Sequence, residues 1–234
     1  MEISGKKAIV FGGTSGIGLA AAQKLAAAGA EVIAISRDPA KAGDPGPGIT
    51  LKQCDVRDPA AMQAMFAELA PYDILVSSAT GGGRAVGPFL SMDMEGYKAS
   101  FDKLWGYANV VRYGAADLSD NGAIVLVSGT PARNMKPGQI AIGSVGGAVE
   151  AFARGVAPEL APKRINVVAP GQVDTPMVAL TGEARVEHYK KSTNGHLIPR
   201  PGKPDEIAMG ILFAVQNDFI TGTTIDVDGG WLLS

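Results

Sequence analysis

The chain has one cysteine, Cys54, and two histidines in 234 residues. A single thiol cannot close an internal disulfide, and the sequence holds no Cys/His cluster with metal-ligand spacing, so a disulfide scaffold and a metal site are both excluded at this stage. Neither charge sign dominates. The 21 Lys and Arg against 23 Asp and Glu leave a net charge of −2, which offers no electrostatic footprint for nucleic acid or a membrane surface. No apolar stretch reads as long and clean enough to span a bilayer. Residues 1–7 lead straight into a strand-like run with no signal-peptide pattern, so the expectation is a cytoplasmic protein. Repeats, low-complexity tracts and linkers are also lacking, and residues 1–234 read as one domain.

What is present is a regular alternation. "KKAIVFGG" is a short apolar run ending in glycines, as a buried parallel strand should. "GIGLAAAQKLAAAGA" follows as a helix stopped by Gly29. "EVIAIS" and "GITLKQCDV" are the second and third strands, and the Pro- and Gly-rich stretch between them leaves room for a turn of helix at most. "DPAAMQAMFAELA" predicts a helix with Asp58 as N-cap and Pro59 at its first position. "YDILVSSA" is strand four, a long helical region is expected over 93–118, and "GAIVLVS" is strand five. A helix to about residue 160, the strand "RINVVAP", the helix "PDEIAMGILFAV" and the strand "TTIDVDGG" complete the order. This pattern predicts a Rossmann-type α/β fold: a doubly wound parallel sheet of about seven strands between two helical layers. The strandless stretch 177–204 is the expected substrate flap, since long loops in compact domains are usually functional.

"FGGTSGIG" places Gly12, Gly16 and Gly18 between the first strand and the first helix. Glycines there let the backbone approach a pyrophosphate at a helix N-terminus. Together with the motifs that follow, this turn resembles the short-chain dehydrogenase/reductase family, and the resemblance runs along nearly the whole chain. Asp55-Val56 matches that family's adenine-binding pair. "ILVSSAT" matches its strand-four end, with Ser77 and Ser78 in place of two asparagines. "INVVAPGQVDT" matches the strand-six motif through Pro170, Gly171, Val173 and Thr175, and "PRPGKPDEIA" with "ITGTTIDVDGGW" matches the C-terminal signature. The resemblance implies a nicotinamide cofactor held by Gly12, Thr14, Ser15, Gly16, Ile17, Gly18, Ser36, Arg37, Asp55, Val56, Ser77, Ala79, Pro170, Gly171, Val173 and Thr175. Arg37 follows strand two with Ser36, not an acid, before it. A guanidinium there pairs with a 2′-phosphate, so NADP(H) is expected over NAD(H).

The family's catalytic residues are the part that is lacking. A serine at the end of strand five, a tyrosine on the next helix and a lysine one turn further do its proton chemistry. Those positions fall on Gly129, Ile142 and Gly146 here. No tyrosine lies between Tyr113 and Tyr189, and Lys136 is the one lysine between Asp120 and Pro162. The family's asparagine position falls near Lys103, whose ammonium would extend toward the space left by Gly146. Lys103 is thus the candidate relocated cation, with Tyr107 one turn on and Ser128 as weaker catalytic candidates. Ser128 is expected to be turned away by strand alternation. His188, Tyr189 and His196 on the flap, and Arg133 after strand five, are read as ordinary residues in the first instance. Two functions remain open: an NADP(H)-dependent oxidoreductase acting on a carbonyl or activated alkene of a small molecule, or a silent NADP(H)-binding sensor or inactive oligomer subunit. The resemblance also implies a homodimer or homotetramer.

Overall fold

A computed structural model describes residues 1–80 and 83–234. Seven parallel strands lie in the order β3-β2-β1-β4-β5-β6-β7. They are β1 (Lys7–Phe11), β2 (Glu31–Ser36), β3 (Ile49–Gln53), β4 (Tyr72–Ser77), β5 (Leu118–Val127), β6 (Arg164–Pro170) and β7 (Thr224–Val227). The helices are α1 (Gly16–Ala27), α2 (Pro59–Leu69), α3 (Met94–Ser100), α4 (Asp102–Gly114), α5 (Ile140–Leu160), α6 (Gly182–Thr193) and α7 (Pro204–Gln216). This is the doubly wound Rossmann-type α/β fold that the alternation predicts.

Strand alternation divides the core in two. Ile9 and Phe11 of β1 join Phe66, Tyr107 and Val149 of α2, α4 and α5 on one face. Ala8 and Val10 join Ala21, Leu25, Ala208 and Ile211 of α1 and α7 on the other. The helix ends follow local chemistry. Asp58 caps α2 by accepting from the amides of Ala60 and Ala61, and Gly29 (φ +91°) ends α1 while Ala30 N–H donates back to the Leu25 carbonyl.

Three expectations need correction. The long helix over 93–118 is two helices: Asp93 caps α3, α4 begins at Asp102, and α4 ends at Gly114. A Cβ at Gly114 would lie 2.6 Å from Phe66, so the helix end sits against α2 where only glycine fits. Strand five starts earlier than expected, at Leu118, before the register shift opposite Tyr72 and Ile74. Lastly, α5 is long and apolar enough, by length and composition, to cross a membrane. It packs against β6, α4 and a short 3-10 turn at Thr130–Ala132, and buries Glu150. Those contacts account for its apolar character as that of a core helix.

Candidate active site

The strand order reverses direction between β1 and β4, and doubly wound folds bind ligands at the carboxyl ends of strands at such a switch point. A cleft of about 420 Å³ opens there. Of the residues assigned to the cofactor from sequence, Gly12, Thr14, Ser15, Ser36, Arg37, Asp55, Val56 and Ala79 line it. Phe11, Ile35, Asp38, Lys41, Cys54 and Thr80 complete the wall. Burial and the neighbouring carboxylates of Asp55 and Asp58 push the Cys54 thiol up, which keeps it protonated.

The turn after β1 is built as a close-approach cradle. A Cβ on Gly12 (φ +75°) would sit 2.7 Å from the Ala79 amide nitrogen, and one on Gly18 would sit 2.1 Å from the Gly12 carbonyl oxygen. Side chains at either position would force the backbone open. Ser78, not Ser77, touches this turn: its hydroxyl donates to the carbonyl oxygens of Phe11 (3.3 Å) and Gly12 (3.5 Å). Ser77 is fully buried, its hydroxyl has no partner among the described residues, and it is not among the residues that line the cleft. Gly16 and the strand-six loop meet across the cleft mouth, since a Cβ on Gly16 would touch Thr175 at 3.4 Å. Ile17 packs against the core beneath α1. Pro170 ends β6 and accepts a hydrogen bond from Thr130 Oγ1. Gly171 lies against the backbone of Asp228, 2.5 Å from where its Cβ would be.

The adenine end is tied to α4. Asp55 binds Arg57 at 2.8 Å, and Arg57 reaches Asp102 at 3.2 Å. That hydrogen-bonded guanidinium holds the Asp55 carboxyl below its ordinary range. Val56 packs into the space above Gly106, where a Cβ would lie 2.6 Å from its methyl group. Asn109 donates to the Val56 carbonyl at 2.9 Å.

The ribose end of β2 gathers polar groups. Ser36 Oγ is buried without a hydrogen-bond partner among the described residues, and Arg37 and Lys41 line the same cleft. Lys41 pairs with Asp38 at 3.3 Å on an exposed edge. Lys41 was missed in the sequence because it sits in a Pro- and Gly-rich stretch with no motif. The short 3-10 turn Pro39–Ala42 brings it back toward the cleft.

None of Lys103, Tyr107 and Ser128 lines this cleft; Lys103 on α4 donates from Nζ to the Ser128 carbonyl oxygen at 3.3 Å, and its ammonium lies 5.5 Å from the centre of the Tyr107 ring. Burial and the nearby Arg84 guanidinium lower its pKa to about 7. Desolvation disfavours the charged form, and a like charge adds to that. The direction Lys103 takes is a correction. The space at Gly146 is closed, because a Cβ there would lie 3.1 Å from Ala132 Cβ of the 3-10 turn. The ammonium therefore ends at β5, not over α5.

Tyr107 and Ser128 are placed away from the chemistry assigned to them. Tyr107 is fully buried and donates to the Val127 carbonyl at 3.1 Å, and burial raises its pKa further above the ordinary phenol value. It serves as a floor beneath the Lys103 ammonium. The Ser128 hydroxyl turns inward and donates to Glu150 Oε1 at 3.0 Å. Only its carbonyl faces Lys103. Strand alternation accounts for the turn.

Glu150 also pairs with Arg133 at 3.2 Å, and Arg133 reaches Asp226 of β7. This occupies Arg133 within the protein, so it is not an anion site. The network clamps the 3-10 turn onto α5. E150A is expected to lower stability by roughly 2 kcal/mol, less than for breaking a fully buried pair, because Arg133 is partly exposed and keeps Asp226. E150Q, which still accepts from Ser128, should cost less. Paired urea denaturation curves measure both.

The segment 177–204 contains α6. Arg185 binds Asp174 and donates to the carbonyl oxygens of Thr175 (2.8 Å), Val178 and Leu180 (3.0 Å), tying α6 to the strand-six loop. Tyr189 donates to the Val173 carbonyl at 3.2 Å. His188 stacks edge-on with Tyr189, and His196 stacks with Trp231 at 5.0 Å. Burial lowers the His196 pKa. Both imidazoles sit in packing roles here.

With this geometry in place, the sequence profile of the family described as Enoyl-(Acyl carrier protein) reductase matches residues 12–232. The chain is 31% identical to a 3-oxoacyl-[acyl-carrier-protein] reductase of Mus musculus over 240 residues, covering 98% of this chain and 99% of that protein. It is 32% identical to a galactitol 2-dehydrogenase of Rhizobium johnstonii over 249 residues, covering 98% and 96% respectively. Among solved structures, a small-chain dehydrogenase in complex with NADPH superposes with a TM-score of 0.83 at 28% identity, covering 99% of this chain and 100% of that one. The aldohexose dehydrogenase of Thermoplasma acidophilum superposes with a TM-score of 0.87 at 28% identity, covering 99% and 96%.

Proposed function

The chain belongs to the short-chain dehydrogenase/reductase family of oxidoreductases, and from that premise we propose that it is an NADP(H)-dependent reductase or dehydrogenase whose working proton is held by Lys103. The observation that carries the reading is the position of Lys103. Its ammonium is anchored on the Ser128 carbonyl at the carboxyl end of β5, over the Tyr107 ring, with a pKa near neutrality. The family's tyrosine and lysine positions hold Ile142 and Gly146, which have no proton to give.

The residues present fit a dinucleotide. The glycine cradle at Gly12 and Gly18 leaves no room for a Cβ, and the cleft beside it carries the unpartnered Ser36 hydroxyl. Gly12, Thr14, Ser15, Gly16, Ile17 and Gly18 would hold the pyrophosphate, with Asp55, Val56 and Ala79 at the adenosine end. Pro170, Gly171, Val173 and Thr175 would border the nicotinamide. When bound, the nicotinamide supplies or accepts the hydride. Lys103 then does the proton work: protonated, its Nζ donates to the oxygen of a carbonyl undergoing reduction, and neutral, it takes the proton from an alcohol in the reverse direction. An activated alkene needs less of this help, because the carbon can take its proton from water.

Arg37, Lys41 and Ser36 support a preference for the 2′-phosphate. R37A is expected to weaken NADPH binding by about tenfold or more, as for loss of a charge-assisted hydrogen bond, with little change for NADH. Fluorescence titration with both cofactors tests this, and equal weakening of the two would refute the assignment. The substrate in this reading is a small molecule, and the chain works in the cytoplasm as a homodimer or homotetramer. Exposed apolar residues, Trp105 on α4 and Met209 and Phe213 on α7, support self-association. Light scattering on the purified protein checks it.

A further inference from the structure

The flap is fastened differently at its two ends. At one end Arg185 and Tyr189 of α6 are hydrogen-bonded to the strand-six loop, whose Thr175 meets Gly16 at the cleft mouth. At the other, the chain after α6 is pressed onto the C-terminal turn. The His196 ring lies on the Trp231 indole with centroids 5.0 Å apart and planes 21° from parallel. Ile198 N–H donates to the Gly229 carbonyl at 2.9 Å, and a Cβ on Gly230 would lie 2.7 Å from Leu197 Cβ. Trp231 is held in turn by the loop before α5. Asn134 Nδ2 donates to its carbonyl at 3.0 Å, and the Lys136 ammonium lies 5.5 Å from its ring centre.

His196 is 6% exposed and Trp231 5%, and His196 Nε2 is enclosed with no hydrogen-bond partner among the described residues. A neutral imidazole can keep its single N–H on Nδ1, whereas an imidazolium carries a proton on both nitrogens. Protonation therefore places a charged N–H where it has no acceptor, which costs far more than enclosing the neutral ring. The charged neighbours do not offset this. Lys136 is already a cation at the same indole. Asp228, on the loop after β7, spends its two oxygens on the backbone amides of Gly230 (2.9 Å) and Leu232 (2.8 Å). Arg200, farther along the flap, is paired with Glu206. Burial and the Lys136 charge hold the imidazole below its ordinary value, against the pull of Asp228.

We propose that His196 is an acid-released latch: neutral, it fastens the C-terminal end of the flap to Trp231, and protonated, it lets that end lift from the C-terminal turn. Residues 194–200 then move to bring the imidazolium to water, while α6 stays tethered through Arg185 and Tyr189 beside the cleft mouth. The device does not depend on which cofactor or substrate the cleft takes. The released ring titrates near an ordinary value of about 6.5 and the latched ring lower. The released state binds more protons, so the latch weakens as pH falls below about 6.5.

Hydrogen exchange of the peptide covering 194–200, corrected for the intrinsic pH dependence of exchange, reads this opening in the full-length chain. From pH 7.5 to pH 5 its exchange should speed up severalfold. The ceiling is about thirtyfold, set by one proton bound with a pKa of about 6.5 in the released state alone. H196F keeps a ring on Trp231 and takes no proton, so its exchange should stay slow at both pH values. H196Q has no ring to stack and should exchange fast at both. No acceleration in the wild type, or the same acceleration in H196F, would overturn the proposal. Should H196F fail to fold, proton NMR of the wild-type imidazoles decides, with H188Q assigning the only other histidine. The His196 ring signals, shifted upfield by the indole, should move to ordinary positions as the ring protonates. A ring that protonates while keeping its upfield shift is still latched and contradicts the proposal.

Discussion

K103M should lower the rate of NADPH-driven carbonyl reduction by roughly a hundredfold to ten-thousandfold, the range for losing a positioned general acid. The loss should come with a changed pH profile. In the wild type the ammonium of this half-buried lysine has a pKa of about 7, because it is withdrawn from water and feels the positive charge of Arg84. Reduction needs the protonated form, so its rate falls as pH rises through about 7. Oxidation of the alcohol needs the neutral form and should rise through the same interval. In K103M both limbs should vanish, leaving a slow, pH-flat rate. A merely structural lysine would not produce opposite limbs in the two directions.

The same substitution separates chemistry from folding. Lys103 has a folded pKa of about 7, against roughly 10.4 for an unfolded lysine. Between these values the unfolded chain binds more protons, so stability rises with pH across that window. Below it both states carry the proton and the full cost of burying the ammonium is present. K103M removes that cost, so its stability should lack this rise and exceed the wild-type value below neutrality. Thermal denaturation at pH 6 and pH 9 measures the difference. A variant that loses activity because it unfolds would show the opposite.

G18A should cripple cofactor binding. The added methyl would sit 2.1 Å from the Gly12 carbonyl oxygen and 2.7 Å from the Gly12 carbonyl carbon. These are backbone atoms of the turn itself, so the turn must open. Overpacking of this kind costs roughly 1–3 kcal/mol, about one to two decades of NADPH affinity if the strain falls on the binding-competent turn. G155A provides the contrast. Gly155 lies on the exposed side of α5, with nothing within 4 Å of its Cβ position. Alanine there should stabilise the helix by roughly 0.5–1 kcal/mol and leave NADPH affinity unchanged. Titrating both variants with NADPH, with denaturant melts alongside, checks the pair.

The fold was legible because its signals are local. A short apolar run ending in glycines marks β1, the run "YDILVSSA" marks β4, Asp58 and Pro59 announce α2, and Gly29 closes α1. The cofactor cleft was legible for the same reason, through "FGGTSGIG", Asp55-Val56 and Arg37. What escaped depended on packing between distant segments. The choice between Ser77 and Ser78 is made by which side of the strand end meets the β1 turn. Gly146 reads as a gap in the sequence, but Ala132 of the 3-10 turn fills it. The apolar character of α5 can suit a membrane or a core, and its neighbours decide. Lys41 sits in an irregular segment without a motif, so only the folded chain brings it to the cleft. Glu150 reads as one more charge on a helix, and its burial against Ser128 and Arg133 is a tertiary event.

Hydride transfer itself is the most direct measurement. The protein would be incubated with NADPH carrying deuterium at the nicotinamide C4 position and with a panel of acetoacetate, methyl acetoacetate, cyclohexenone and crotonyl thioester. Product masses then report whether the label has moved. Deuterium on a product carbon, with the transfer strongly reduced in K103M for the carbonyl substrates, is the expected result. Tight NADPH binding with no label in any product would contradict it and leave a protein that binds the cofactor without turning it over.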